Sequence, residues 1–314
     1  YKNTSEDLLY GVPVPTQTGV ANATVTMNAA SMENSGFEFS ATYRNHDHPF
    51  KYDISANLST LRNRVTSLGF GTESYITGAY ATYVGKEIGK FYGWVYEGIA
   101  RTQSDLDNHA TQQGANVGDC LYKDISGPNG EPDGVIDAYD QTVLGSGLAK
   151  MNFGLSAHME YKGFDLSIST YGALNYHVAD DIYNSLNSCY GWGNKDVAMA
   201  DANRFSEDGS TYLSNVPRTY VDNKGTLAWN DLFSSRKIQN AAYWKIANVE
   251  LGYNFPDRWF KGLVTGVRAY VSAQNLYTFT GYKGYNVDYA GGTFTPGYNF
   301  CSFPSARSFM AGLH

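Results

Sequence analysis

Long apolar runs are missing from this chain of 314 residues. Nothing approaches the roughly 18 consecutive apolar residues that a membrane-spanning helix requires. None of its residues form the charged-then-apolar pattern of a secretory signal. Positive charge is also scarce: 23 Lys and Arg against 30 Asp and Glu leave a net charge of -7, which argues against nucleic acid as a partner. Cysteine is limited to Cys120, Cys189 and Cys301, too few and too scattered for a disulfide framework or a zinc site. One extracytoplasmic pair with a thiol left over, or three unpaired thiols, both fit that count. There is no G-x-S-x-G, no H-E-x-x-H and no phosphate-cradling glycine loop, so no catalytic chemistry is expected.

What the chain has in abundance is tyrosine, 26 residues, and glycine, 33, set in runs of strict alternation. From Phe153 the odd positions read Phe, Leu, Ala, Met, Tyr while the even ones read Gly, Ser, His, Glu. After Lys162-Gly163 the register restarts with Phe164, Leu166, Ile168 and Thr170 against Asp165, Ser167 and Ser169. This is a hairpin with one apolar and one polar face. The same pattern recurs in "GFEFSATYR" from Gly36, "FKYDISANLS" from Phe50, "IANVELGYNF" from Ile246 and "GVRAYVSAQN" from Gly266. Strands are expected near 1–10, 26–44, 50–62, 150–161, 164–176, 242–255, 264–279 and 303–314, about eight in all.

Alternation alone fits a soluble sandwich and a membrane barrel equally well. The connections separate the two. Short links near Asn45 to Pro49, at Lys162-Gly163 and near Pro256 to Leu263 alternate with long stretches near 63–148, 177–241 and 281–302. Short turns on one rim and long loops on the other are the asymmetry of an outer-membrane barrel. Aromatics on the apolar face (Tyr43, Phe50, Tyr52, Tyr161, Phe164, Tyr176, Tyr253, Phe255) crowd the strand ends, with Ala, Val, Ile and Leu between them. Amphipathic rings belong at the water–lipid boundary. The expected fold is therefore all-β, an antiparallel transmembrane β-barrel whose apolar face meets lipid and whose polar face lines a lumen. The chain opens without methionine in mid-pattern and stops while alternation is still running, so it is expected to be a piece of a longer barrel.

The words "SMENSGFEFS", "IGKFYGWVYEGI", "YKDISG", "DGVIDAYDQTVLGSGLAK", "MEYKGFDLSIS", "YWKIANVELGYNFP", "VRAYVSAQNLYTFTGYKGYNVD" and "FPSARSFMAGL" resemble, in order, the carboxy-terminal third of SusC/RagA-type TonB-dependent transporters. That resemblance implies a 22-stranded barrel closed by an amino-terminal plug that lies outside this chain. It also implies a SusD/RagB-like surface lipoprotein as lid, the TonB complex as energy source, and oligosaccharides or peptides as cargo. Long loops and all three cysteines would be extracellular and the short turns periplasmic. The family's final aromatic residue is lacking, so His314 is not expected to be the true terminus.

Three constellations could carry binding chemistry. Asp133, Asp137 and Asp140, with Asp124 upstream, resemble the second half of an EF-hand loop around Gly134, a candidate Ca2+ site. Its first spacing is broken by "GPNGEP", so a Gly/Pro/Asp turn closed by its own side chains is the competing reading. Tyr183, Tyr190 and Trp192 in the second long loop could stack on sugar rings or contact peptide side chains, or simply pack that loop. Lumen charges such as Glu38, Lys51, Asp53, His158, Glu160 and Arg268 are those of a wet interior, some of them expected to pair across strands or to touch the plug. His46 and His48 lack further ligands and belong to a turn. Two other functions remain open: a scaffold barrel with no import of its own, and a secreted glycan-binding β-sandwich.

Overall fold

The largest sheet is built on tight reversals. In the computed structural model, which describes residues 1–13, 24–69, 71–188, 194–219, 229–261, 264, 266–288, 291–300 and 302–314, Lys162 and Gly163 both adopt positive φ, 49° and 88°. That is the two-residue turn whose twist suits a hairpin. In chain order the first strands are β1 (Lys2–Pro13), β2 (Thr24–Ser35), β3 (Glu38–Asn45), β4 (Phe50–Thr60) and β5 (Arg62–Ser67). Short strands follow: β6 (Ser74–Thr77), β7 (Tyr80–Tyr83), β8 (Lys90–Gly93), β9 (Tyr96–Ile99), β10 (Cys120–Tyr122) and β11 (Thr142–Gly145). The hairpin itself is β12 (Met151–Tyr161) and β13 (Phe164–Leu174), followed by β14 (His177–Asp180) and the short helix Asp181–Leu186. The remainder is β15 (Gln239–Asn240), β16 (Tyr243–Asn254), β17 (Arg268–Thr280), β18 (Tyr298–Asn299) and β19 (Ser308–Leu313).

Seven of these strands form one antiparallel sheet, in the order β19-β17-β16-β13-β12-β4-β3. Its register aligns the apolar residues in rows. Ile54, Ala157, Ile168, Val249, Ala273 and Phe309 stand side by side across six strands, and the next row holds Met159, Leu166, Leu251, Val271 and Ala311. These rows are not a protein core. Leu155 is 43% exposed and Val271 55%, and neither they nor Ile168 belongs to any buried cluster among the described residues. Apolar area left open over a whole sheet face is stable only where something other than water covers it.

Aromatic pairs flank the aliphatic rows at both rims. Beside the short turns stand Tyr43–Tyr52 (5.9 Å between centroids), Phe50–Tyr161 (6.4 Å) and Phe164–Tyr253 (4.6 Å). At the opposite rim Trp244 stacks on Phe279 at 5.3 Å and Tyr277 meets Phe279 edge-on at 4.7 Å. Rings at both edges of an aliphatic band mark the two boundaries of a hydrocarbon layer. Tyr176, expected in a girdle, is instead 4% exposed within a loop core, its hydroxyl donating to the Val287 carbonyl at 2.6 Å.

The strand expected near 1–10 is β1; it pairs with β2, and β2 with β5, in a separate three-stranded sheet. One expected strand needs correction. The single strand expected over 26–44 breaks between β2 and β3. The cause is a close approach at Gly36, where an added Cβ would lie 1.9 Å from the Thr60 carbonyl oxygen. Only glycine lets the hairpin β3–β4 kink there and continue as β2–β5 on a new course.

The long connections are folded. Between β5 and β12 lie a four-stranded sheet, β11-β8-β7-β6, and the pair β9–β10. The second and third connections meet where β14 pairs with β15 and β18. Four buried clusters sit here, centred on Tyr122, Val65, Phe91 and Tyr176. Among the described residues the buried clusters thus lie in the loop layer, and the large sheet reaches into one of them only through Ala173 and Tyr243 at its long-loop rim.

Candidate functional site

The polar face of the large sheet carries the side chains that the apolar face excludes, because the strand period is 2. Near the short-turn rim these are charged and paired across strands. The Arg268 guanidinium reaches Asp165 (Nε to Oδ2 3.0 Å) and Glu250 (2.7 Å to Oε1), and Asn254 donates to the same Asp165 carboxylate at 3.0 Å. Lys51 faces Glu160 at 3.9 Å, and Arg44 faces Asp53 at 3.7 Å. His158 lies 2.8 Å from the Ser167 hydroxyl and 3.2 Å from Glu160. His46, in the short turn, contacts Asp53 at 3.0 Å. Apart from His158–Glu160, within one strand, these contacts cross strands or the short turn, and among the described residues no third ligand joins the histidines.

Towards the long-loop rim the third connection leans onto this wall. Asp288 pairs with Lys245, which is 4% exposed, and accepts from the Tyr171 hydroxyl at 3.2 Å. A buried lysine keeps its charge only with such a partner. The Lys245 ammonium also lies 5.7 Å from the centre of the Tyr171 ring, a cation–π contact. Asp180 ties the loops together: it caps the helix Asp181–Leu186 through the Tyr183 amide, and accepts from the Tyr282 hydroxyl and the Asn299 amide. Elsewhere in the loops the Asp119 carboxylate holds Arg218 and Asn230.

The four aspartates of the candidate cation loop are engaged by backbone amides. Asp124 accepts from Gly134, Asp133 from Val135 and Asp137 from Tyr139. Asp140, fully buried, accepts from Ile125, Ser126 and Asp137. No group of three or more His, Cys, Asp or Glu side chains that could hold a metal ion occurs among the described residues. The buried Asp124 Oδ1 has no hydrogen-bond partner among the described residues, and a carboxylate can accept an amide and ligate a cation together. Tyr183 is half-buried, with the Lys283 ammonium 5.7 Å from its ring. Tyr190, Trp192, Cys189 and Cys301 lie outside the described residues. Cys120 is free and fully buried between Tyr122 and Trp229, and burial pushes its thiol up to about 12. Sequence reasoning missed the Lys245–Asp288–Tyr171 cluster. Lys245 precedes the alternating run read from Ile246, and Asp288 comes from a loop with no periodicity.

No protein-family model matches the chain. It is 29% identical over 334 residues to TonB-dependent receptor P3 of Formosa agariphila, covering 100% of this chain and 31% of that protein. It is 27% identical over 328 residues to TonB-dependent receptor SusC of Bacteroides thetaiotaomicron, covering 100% of this chain and 29% of SusC. The chain thus spans about a third of the length of the curated relatives it matches. Among solved structures, that of the RagAB peptide transporter superposes with a TM-score of 0.77 at 22% identity, over 99% of this chain and 32% of that one. The shared fold is a TonB-dependent barrel.

Proposed function

We propose that the chain, similar over its whole length to TonB-dependent receptors including SusC and in fold to the RagAB peptide transporter, forms part of the wall of an outer-membrane importer. Its long loops are extracellular, its short turns periplasmic, and its cargo an oligosaccharide or a peptide. A plug in the rest of the protein closes the lumen, the TonB complex opens it, and a SusD/RagB-like lipoprotein lids the folded loops.

The observation that carries this reading is the two-faced sheet. Among the described residues its apolar face has no protein core over it and is banded by aromatics, as lipid demands. Its polar face is laced with cross-strand ion pairs, as a water-filled interior allows. The folded loop layer on one rim gives a lid something rigid to dock on, and carries the weight of selectivity that loops on a fixed scaffold usually carry. No step of the reading requires catalysis; this chain would contribute wall, mouth and selectivity, while energy arrives from the periplasm.

The test uses the complete receptor in its native outer membrane. Cells carrying it should accumulate labelled oligosaccharide or peptide against a gradient, and a protonophore should abolish the accumulation. Uptake that never occurs would leave a scaffold barrel in its place, and uptake that survives the protonophore unchanged would overturn TonB-energised import.

A further inference from the structure

Two of the short turns touch each other and carry cations without counter-charge. The Lys162-Gly163 turn meets the end of β16, where the Asn254 backbone amide donates to the Gly163 carbonyl at 2.7 Å. The next turn opens directly afterwards with the helical turn Asp257–Phe260. Lys162, Arg258 and Lys261 are exposed, and none of their side chains makes an ion pair or a hydrogen bond among the described residues. Asp257, the sole acid between Pro256 and Val267, is taken up by the Gly266 amide at 3.0 Å. The third short turn is different, with His46, Asp47 and His48 and neither Lys nor Arg.

Both lysines stand where lysine is poorly suited. Six non-glycine residues among those described have positive φ, and four of them are Asn or Asp, whose short side chains tolerate that region. The other two are Lys162, at 49°, and Lys261, at 50°, one in each turn. Asn or Gly would hold either turn with less strain, so what lysine adds is its ammonium.

These cations border the apolar face. The Lys162 ammonium lies 5.1 Å from the centre of the Tyr161 ring, a member of the girdle, and so leans outward and away from the lumen. Beyond the hairpin the girdle runs on from ring to ring. Phe164 meets Tyr253 at 4.6 Å, Tyr253 meets Phe255 at 5.0 Å and Phe255 meets Trp259 at 5.8 Å. Trp259, 57% exposed, ends this row between Arg258 and Lys261 in the chain. Rings at the hydrocarbon boundary with cations just outside them match a phospholipid, acyl chain to ring and phosphate to cation. A soluble acidic peptide would use the cations and leave the row of rings uncovered. We infer that these two turns form a headgroup site for anionic phospholipid, in which Lys162, Arg258 and Lys261 receive the phosphate and Trp259 packs on the acyl chain. The inference rests on the membrane reading of the apolar face.

The complete receptor tests it, inserted into vesicles of equal parts phosphatidylglycerol and phosphatidylcholine, with the lipid retained on re-extraction counted by native mass spectrometry. The parent should retain phosphatidylglycerol in preference to phosphatidylcholine. Lys162→Asn, which suits the positive φ and so spares the fold, should lower that preference about fivefold, the effect of one cation near an anionic surface. The triple variant Lys162→Asn, Arg258→Gln, Lys261→Asn should abolish it. Lys123→Gln, an exposed lysine of the first long connection, should keep it. A parent without preference, or a triple variant that retains it, would overturn the headgroup site and leave the membrane reading standing. Inorganic phosphate bound by the parent in lipid-free detergent, and lost in the triple variant, would overturn it in favour of a soluble anion. A receptor that fails to enter the vesicles at all would overturn the membrane reading itself.

Discussion

Ile168→Arg is the perturbation that bears most directly on which face meets lipid. Ile168 sits midway along β13 between Phe164, in one girdle, and Gly172, which the Phe153 ring covers near the other. At a rise of about 3.4 Å per residue and a tilt of about 40°, it lies roughly 10 Å inside either boundary. Its row neighbours are Ala157 and Val249, so no polar group is at hand to receive a guanidinium. An arginine near the midplane on this face should cost about 2–4 kcal/mol. That is a fall of roughly 30- to 1000-fold in the folding equilibrium. Phe164→Arg, at the boundary, should cost only about 0–1 kcal/mol. Ser167→Arg points the other way, between His158 and Glu250, where water and a carboxylate receive it, and should be equally mild. The assay is denaturant-titrated folding of the complete receptor into phospholipid vesicles, read by heat-modifiable gel mobility. If Ser167→Arg proves as costly as Ile168→Arg, the faces are misassigned and the lipid reading falls.

Gly36→Ala should destabilise the kink by about 1–3 kcal/mol, because its Cβ meets backbone that cannot yield; Gly281→Ala, with open space around it, is the matched control, and equal denaturation midpoints would refute the close approach. Cys120 should resist alkylation at pH 8 in the folded receptor. A thiol pushed up to about 12 is ionised about a thousandfold less than one at its ordinary value, so mass-spectrometric labelling should appear only after denaturation, and rapid native labelling would contradict the buried cluster. For the Asp124–Asp140 loop, where no three metal-ligating side chains gather among the described residues, metal analysis after dialysis should find equal calcium in the parent and Asp133→Ala; less calcium in the variant would establish the cation site.

The strands of the large sheet were legible because lipid and lumen impose opposite demands on adjacent residues, which writes a period-2 signal into the sequence. The faces of Phe153 to Tyr161 and of Phe164 to Thr170 stand as the alternation placed them. The kink at Gly36 was not legible, since the alternation runs through "NSGFEFS" without a break and only the distant Thr60 carbonyl requires the glycine. Tyr176 was misplaced for a related reason. It continues the aromatic pattern of β13 in sequence, but β13 ends at Leu174, and the chain turns at Asn175, φ 57°, into the loop core. The loops carry no period because their partners come from remote segments: Cys120 packs against Trp229, and Val178 against Tyr282.

That division follows from what covers each part. The sheet's apolar face is covered by solvent lipid, so its residues need only be nonpolar, and one sequence pattern suffices at every height. The loop layer has water outside it and must bury its own apolar residues, so each of its contacts is particular to two distant positions. The same reasoning explains where the buried ionisable groups went. Asp119, Asp140 and Asp180 are each almost fully enclosed in the loop layer and each accepts several hydrogen bonds. A carboxylate that organises several donors fixes a unique arrangement where hydrophobic packing alone would leave alternatives. Removing one leaves several buried donors unpaired at about 1–3 kcal/mol each. In the barrel sheet the charged groups instead stay on the wet side in cross-strand pairs, because the other side has no donor to offer.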